Sequence, residues 1–115
     1  MRELELKFQR MPKAILVLCN CASQDEAQNI AHTLVNEKLA ACVNIMPNHL
    51  SIYEWEGQVV EDPEVQLLIK TTPSTYSLLE KRIQLLHSYD VPEIIAIDIK
   101  QGLPAYLSWI EKSTL

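Results

Sequence analysis

The sequence predicts a single α+β domain whose elements follow the order strand, helix, strand, strand, helix, strand, with a short further helix at the C-terminus. Three observations carry this prediction. Apolar runs typical of strands stand near both ends of the chain, two segments with helical periodicity follow strands, and a long alternating segment folds back near Gly57. A chain of 115 residues, of which 48% are apolar, is of ordinary size for one domain with its own core.

The first strand and the first helix follow from residues 14 to 38. Residues 14 to 19 read AILVLC, a short apolar run rich in strand-forming types. Ser23 and Glu26 then have the spacing of a capping box, in which each side chain satisfies a free backbone N–H group at a helix start. Apolar residues recur behind them at helical spacing, at positions 27, 30, 31, 34 and 35.

The segments 41 to 56 and 58 to 71 predict a long hairpin, interrupted at Pro47 and Pro63. A strand of about 15 residues spans about 50 Å, whereas a compact chain of this length has a radius of gyration of about 13 Å. We therefore expect part of the hairpin to project and to pack on a neighbouring copy through Tyr53 and Trp55. The alternative is that the prolines divide it into short strands that fold back on the monomer.

The second half of the chain repeats the pattern of helix and strand. Thr72 followed by Pro73 predicts an N-cap with proline at the first helical position, and apolar residues then recur at 76, 79, 83 and 86. Residues 93 to 99 form a run of strand-forming residues after Pro92. Leu103 and Pro104 open the last helix, from which Leu107 and Ile110 are expected to pack inward.

This order is the split βαβ arrangement of ferredoxin-like domains, in which two helices cover one face of a four-stranded antiparallel sheet. The other face would be polar if water covered it. Instead both sides of the strands are apolar: the first strand places Leu16 and Leu18 opposite Val17 and Cys19, and the fourth places Ile94 and Ala96 opposite Ile95 and Ile97. We therefore predict that another copy of the chain covers this face.

Composition excludes several classes of function. A formal charge of −5 and an isoelectric point near 5.1 oppose the basic surface that nucleic-acid binding requires. No run of about 18 apolar residues predicts a membrane span, and no apolar N-terminal run predicts export, so we expect a cytoplasmic protein. Residues 1 to 11 are expected to be a poorly ordered tail and residues 12 to 115 the domain. Three cysteines without an export signal predict reduced thiols.

Cys19 and Cys21 are the first candidate ligands. Sulfurs at i and i+2 share one side of an extended strand and suit a thiophilic ion such as Cu(I) or Zn(II). Cysteine is also commonly buried as a small apolar residue, and this interpretation is favoured for Cys19 alone. His87 lies near the end of the second helix, where capping by a protonated imidazole is the alternative to metal ligation.

The other polar residues give weaker signals. His49 is interpreted as a loop residue, His32 as solvent-facing and Cys42 as packing, and none of them is a predicted ligand. Acidic residues concentrate around the hairpin, at 54, 56, 61, 62 and 64, which is typical of a solvated surface. Two glycines cannot form a phosphate loop, and no catalytic motif is readable. We therefore predict neither an enzyme nor an organic cofactor.

Several sequence blocks, in this order, resemble the CutA family. They are residues 40–45 (AACVNI), 51–57 (SIYEWEG), 68–71 (LIKT), Tyr89 with Pro92 and Glu93, and 106–109 (YLSW). The resemblance covers about residues 12 to 113. It implies a trimer of ferredoxin-like subunits, similar in architecture to PII signalling proteins, that is linked to divalent-cation tolerance and binds copper in some members.

The resemblance also raises the metal interpretation of Cys19 and His87, because both match positions implicated as ligands in copper-binding members. Some of those members carry a second, adjacent histidine, and here that position is Leu86. The resemblance therefore implies a trimeric metal-responsive protein with weak copper binding, which needs a further ligand from Cys21, a neighbouring subunit or water.

Two other functions remain open at the level of sequence. One is a PII-like signalling or scaffold trimer that binds a small molecule or a partner protein in its intersubunit clefts. The other is an RNA-recognition domain, which has the same element order but requires exposed aromatic residues on its sheet. The first strand and the residues VQLLIK of the third carry none.

Overall fold

A computed structural model describes residues 13 to 115 of the chain. Its elements are β1 (Ile15–Cys21), α1 (Gln24–Asn36), β2 (Cys42–Trp55), β3 (Gln58–Thr71), α2 (Tyr76–Leu86), β4 (Ile94–Asp98) and α3 (Pro104–Lys112). The predicted order and the C-terminal helix are therefore confirmed. The predicted tail, residues 1 to 11, lies outside the described residues.

The four strands form one antiparallel sheet in the order β2-β3-β1-β4. Alternate residues of β1 point to opposite sides of the sheet. On one side, here called the helix face, Val17 packs with β3 residues under α1 and α2. The core on this side contains the fully buried side chains of Ile30, Leu34, Leu67, Ile69, Leu79 and Ile83.

The other side, here called the open face, is only partly covered. One end is closed by α3, whose Leu107 and Ile110 pack with Ala14. On β4, the edge strand next to β1, Ile95 and Ile97 are each 51% exposed in the single chain. The prediction that this face is apolar and lacks a full helical cover is therefore confirmed.

The hairpin of β2 and β3 projects from the domain, as the strand lengths predicted. Each strand has 14 residues, and their pairing shifts once, between Met46 and His49. The described residues measure 62 × 28 × 22 Å and have a radius of gyration of 16.6 Å, against about 13 Å for a compact chain. The turn uses Glu56 and Gly57 at φ of 50° and 80°, a left-handed geometry that matches the strand twist. The alternative of short strands folded back on the monomer is wrong.

The start of α1 is confirmed, whereas the predicted start of α2 is wrong. The Glu26 N–H donates to Ser23 Oγ at 3.1 Å, and the Glu26 carboxylate accepts from the Ala22 N–H. In contrast, Thr72 does not cap α2. The Thr75 N–H donates to the Thr72 carbonyl, and the two hydroxyls lie 2.8 Å apart. These contacts make a separate turn, so α2 begins three residues after Pro73, at Tyr76.

Candidate metal centre and the adjoining cleft

Two cysteines and a histidine meet at the end of β1 on the helix face. Cys19 and Cys21 point to the same side because they are two residues apart on an extended strand. His87 follows the last residue of α2, and its N–H still donates to the Ile83 carbonyl at 2.9 Å. One donor atom of each residue lies within 4.8 Å of the others, and all three residues are buried. The structure therefore brings the predicted residues Cys19 and His87 together with Cys21, one of the further ligands that the sequence offered.

The hydrogen bonds of His87 define its neutral form. The Tyr89 N–H donates to Nδ1 at 3.1 Å, so Nδ1 carries no proton. Nε2 therefore carries the proton and donates it to the Asn20 carbonyl at 2.7 Å. Glu26 Oε1 lies 3.9 Å from Nδ1 and forms an ion pair only when the imidazole is protonated. A metal ion must replace one of these two partners to reach the ring.

The thiol of Cys19 is held in its protonated form. Its hydrogen bond with the Cys21 thiol raises its pKa most, burial raises it further, and the nearby carboxylates of Glu93 and Glu26 act in the same direction. The thiolate is the form that binds metal, so a metal ion must displace this proton. Binding at this centre therefore carries a cost in proton release and in one broken hydrogen bond.

The donor set fits a soft ion in type and in spacing. Two sulfurs and one imidazole are ligands that Cu(I) and Zn(II) accept. Donors of a trigonal site with metal–sulfur bonds of about 2.3 Å lie about 4 Å apart, and the observed limit is 4.8 Å. Leu86, which stands where the resemblance allows a second histidine, packs against the core instead. The third donor atom beside Cys19 and His87 is therefore the sulfur of Cys21.

The same geometry opposes thiol catalysis. Cys19 and His87 do lie close together, as a nucleophile and its base would. However, Nδ1 is occupied by the Tyr89 N–H and Nε2 already carries a proton, so neither nitrogen is free to accept the thiol proton. The absence of enzymatic activity stays a prediction.

A wide cleft lies on the open face, on the other side of the same strand end. Its volume is about 1240 Å³. Asn20 and Gln66, which pair across β1 and β3, stand at its inner end, and Tyr53 and Trp55 line it along the hairpin. The sequence signals for this cleft were Asn20, which follows the apolar run of β1, and Gln66, which interrupts the apolar residues 65 to 69 of β3. The sequence argument missed it because neither residue belongs to a known motif.

Glu64 differs from the solvated surface predicted for the acidic residues of the hairpin. It is only 8% exposed, and its Oε2 accepts a hydrogen bond from the Tyr89 hydroxyl at 2.9 Å. Burial raises the pKa of Tyr89, and the bond to Glu64 raises it further. Farther out, the Tyr53 hydroxyl lies 3.2 Å from Asp62. For Glu64 the surface interpretation is wrong, because Tyr89 folds over it.

Two residues contact both the buried centre and the cleft. The backbone carbonyl of Asn20 accepts from His87, while its side chain lines the cleft. Tyr89 donates its backbone N–H to His87 and its hydroxyl to Glu64. These two residues therefore connect the His87 imidazole to the lining of the cleft.

The remaining candidates lie outside the buried centre. His32 is exposed on α1, as predicted. His49 belongs to β2 rather than to a loop, pairs with Glu64 across the sheet and lines the cleft. Cys42 is half-buried at the start of β2.

Comparison with known proteins identifies the family. Residues 15–113 match the family model described as CutA1 divalent ion tolerance protein. The chain belongs to the CutA family. It is 48% identical over 99 residues to the divalent-cation tolerance protein CutA of Thermus thermophilus. The matched residues cover 86% of this chain and 96% of that relative. The solved structure of a Thermus thermophilus divalent cation tolerance protein superposes on this chain with a TM-score of 0.86. The superposition covers 89% of this chain and 99% of the Thermus chain.

The CutA relative from Arabidopsis thaliana, named as chloroplastic, is 44% identical over 88% of this chain. This chain spans 56% of that longer relative. Among residues 13 to 115, no helix is long and apolar enough to cross a membrane.

Proposed function

We propose that this CutA protein is a homotrimer that responds to metal ions and contributes to divalent-cation tolerance through weak copper binding at Cys19, Cys21 and His87. The observation that carries the proposal is the convergence of two sulfurs and one imidazole within 4.8 Å in a chain of this family. The raised pKa of the Cys19 thiol and the two occupied ring nitrogens support weak rather than tight binding.

The soft donor set favours Cu(I) over Cu(II). Thiolates stabilise Cu(I), and a dry site with only three donors lacks the four or more oxygen and nitrogen ligands that Cu(II) prefers. Because the ligands must lose protons, the affinity should rise with pH.

A competition titration with a coloured Cu(I) chelator tests the metal centre. We expect the Cys19→Ala, His87→Ala double variant to bind Cu(I) at least about tenfold more weakly than the wild type. Cys42→Ala is the matched control, because Cys42 is half-buried outside the cluster, and it should keep the wild-type affinity. Equal uptake by the wild type and the double variant would remove the assignment.

The trimer is supported by the exposed apolar side chains of the open face and of the hairpin. Ile95 and Ile97 are half exposed there, and Trp55 and Val59 are exposed on the projecting hairpin. Covering this surface removes apolar area from water, which stabilises the assembly by about 25 cal/mol for each Å² that is buried. Two further copies related by rotation provide that cover without leaving an open edge.

Light scattering during size exclusion tests the assembly. We expect a trimeric mass at micromolar concentration for the wild type and a lower mass for Ile97→Asp. The control is Leu85→Asp, since Leu85 is 79% exposed on α2, away from the open face. A monomeric wild type would refute the trimer.

A second candidate function is a PII-like signalling or scaffold trimer that binds a small molecule or a partner at clefts bordering its subunits. The specific observation in its favour is the cleft on the open face. Ligand-induced rises in melting temperature without metal would support it. The cytoplasmic location stays a prediction.

A further inference from the structure

The carboxylate of Glu26 holds together the two chain segments that carry the donors of the buried centre. Its Oε1 accepts a hydrogen bond from the Ala22 N–H at 3.1 Å, and Ala22 directly follows Cys21. Its Oε2 accepts from the Ser88 N–H at 2.9 Å, and Ser88 directly follows His87. One side chain at the start of α1 therefore ties the end of β1 to the end of α2.

The same carboxylate faces the imidazole of His87. Glu26 Oε1 lies 3.9 Å from Nδ1, and Glu26 is the one carboxylate found within ion-pair distance of the ring among residues 13 to 115. The His87 side chain is fully buried and that of Glu26 is 14% exposed, so little water screens the pair. Both Glu26 oxygens accept from backbone N–H groups, which fixes the carboxylate in place as an acceptor.

The two ring nitrogens of His87 face different parts of the chain. Nε2 donates at 2.7 Å to the carbonyl of Asn20, the residue between Cys19 and Cys21. Nδ1 accepts from the Tyr89 N–H at 3.1 Å, on the side of the loop after α2. Nε2 is therefore the nitrogen that faces the strand with the two sulfurs, and it is the nitrogen placed to act as a ligand.

A ligating Nε2 carries no proton, whereas in the metal-free ring the proton lies on Nε2. A neutral imidazole then holds its proton on Nδ1, where the proton needs an acceptor. The Tyr89 N–H is itself a donor, so the acceptor beside Nδ1 is Glu26 Oε1. Their separation of 3.9 Å exceeds a charge-assisted N–H···O⁻ bond by about 1 Å, so a small turn of the ring completes the bond.

Histidine ligands in metal sites almost always donate their other ring N–H to a carboxylate, a carbonyl or water, which fixes the tautomer and raises the basicity of the ligating nitrogen. We propose that Glu26 is the positioning residue of the metal centre, and that its Oε1 accepts the Nδ1 proton of His87 so that Nε2 is free to bind the ion. The proton leaves Nε2 and a proton binds Nδ1, so the imidazole stays neutral. This inference rests on the proposed copper function of Cys19, Cys21 and His87.

The position of the imidazole proton is measured by NMR of the full chain labelled with ¹⁵N-histidine, with and without Cu(I), which is diamagnetic. The His87 signals are assigned by their loss in His87→Ala. We expect the one-bond ¹⁵N–¹H coupling on Nε2 in the metal-free protein and on Nδ1 in the copper-loaded protein. A proton that stays on Nε2 after copper loading would overturn the proposal, because Nδ1 would then be the ligand.

Competition with a coloured Cu(I) chelator measures how much the contact contributes to the affinity. Glu26→Gln keeps the size of the side chain but removes its charge and one acceptor oxygen, so we expect at least about tenfold weaker Cu(I) binding. Ser23→Ala is the matched control, because it removes the hydroxyl that accepts from the Glu26 N–H at the same helix start but keeps the carboxylate. It should keep the wild-type affinity. Melting temperatures show whether both variants remain folded.

The outcomes separate this inference from the proposed function. Equal Cu(I) affinities of the wild type and Glu26→Gln, or equal losses in Glu26→Gln and Ser23→Ala, would overturn the role of Glu26 and leave the metal centre standing. Equal uptake by the wild type and the Cys19→Ala, His87→Ala double variant would remove the metal centre, and the role of Glu26 with it. The NMR measurement on the wild type decides the proposal even where a variant does not fold.

Discussion

The two faces of the sheet are both apolar, but they differ in how far the chain itself buries them. On the helix face, Val17 and Cys19 are fully buried because α1 and α2 of the same chain cover them. On the open face, the alternate residues of β1, Leu16 and Leu18, remain partly exposed, and so does the neighbouring β4. One strand thus serves a core that the chain completes by itself and a face that the single chain leaves partly exposed.

The polar groups at the end of β1 differ in the same way. The helix face ends in soft donors that are closed from water and already hydrogen bonded, namely Cys19, Cys21 and His87. The open face ends in Asn20 and Glu64, which lack a cationic partner within residues 13 to 115. The comparison teaches that the chain itself closes the helix-face cluster from water, whereas the open-face cleft is accessible in the single chain.

The largest expected effect is a difference in the free energy of unfolding between substitutions on the two faces of the sheet. In an Ile97→Asp background that is monomeric by our proposal, Leu67→Ala should lower the free energy of unfolding by about 2–5 kcal/mol, because Leu67 is fully buried on the helix face. Leu68→Ala, on the open face next to it, should cost at least about 1 kcal/mol less. Urea titration measures both. Equal losses in the free energy of unfolding would show that the two faces are buried to the same extent in the monomer.

A smaller effect tests the polar support of the helix-face cluster. The Glu26 carboxylate accepts from the Ser88 N–H at 2.9 Å and from the Ala22 N–H at 3.1 Å. Burial opposes its ionisation, but these hydrogen bonds outweigh burial and lower its pKa below the usual 4.5. Its stabilisation is therefore present above pH 4.5 and is lost as the pH falls through the lowered value.

Accordingly, Glu26→Gln should reduce the free energy of unfolding at pH 7 by about 1–2 kcal/mol, and the difference should close below pH 4.5. Urea titrations of both proteins between pH 3 and pH 7 measure it. Glu37→Gln is the control, because Glu37 pairs with Arg82 at the surface, where salt screens the interaction. A difference between wild type and Glu26→Gln that is constant with pH would show that the carboxylate charge is not responsible.

The smallest effect concerns the stability that the free protein loses because Asn20 Oδ1 is buried without a donor among the described residues. Asn20→Leu removes the orphaned Oδ1 and keeps a side chain of similar size, so the free protein should gain about 1 kcal/mol in stability. The melting temperature without ligand measures this gain. A loss of stability would mean that Oδ1 has a donor in the assembled protein, and the two faces would then differ less than proposed.

Much of the fold follows from local patterns in the sequence. The periodicities of residues 27 to 35 and 58 to 71, the cap at Ser23 and the left-handed turn at Gly57 each depend on neighbours within a few residues. The unbroken apolar run of β1 also predicted an apolar second face. The start of α2 was wrong because Thr72 bonds to Thr75 in a turn instead of capping the helix.

The sequence by itself determined the element order, the projecting hairpin and the candidates Cys19, Cys21 and His87. Only the tertiary structure decided that these three residues meet in one buried cluster, that Glu64 is buried under Tyr89 and that Oδ1 of Asn20 lacks a donor within residues 13 to 115. The physical reason is distance along the chain. His87 bonds to the Asn20 carbonyl across 67 positions, and such contacts depend on how α2 and its following loop return to the sheet, which no local pattern encodes.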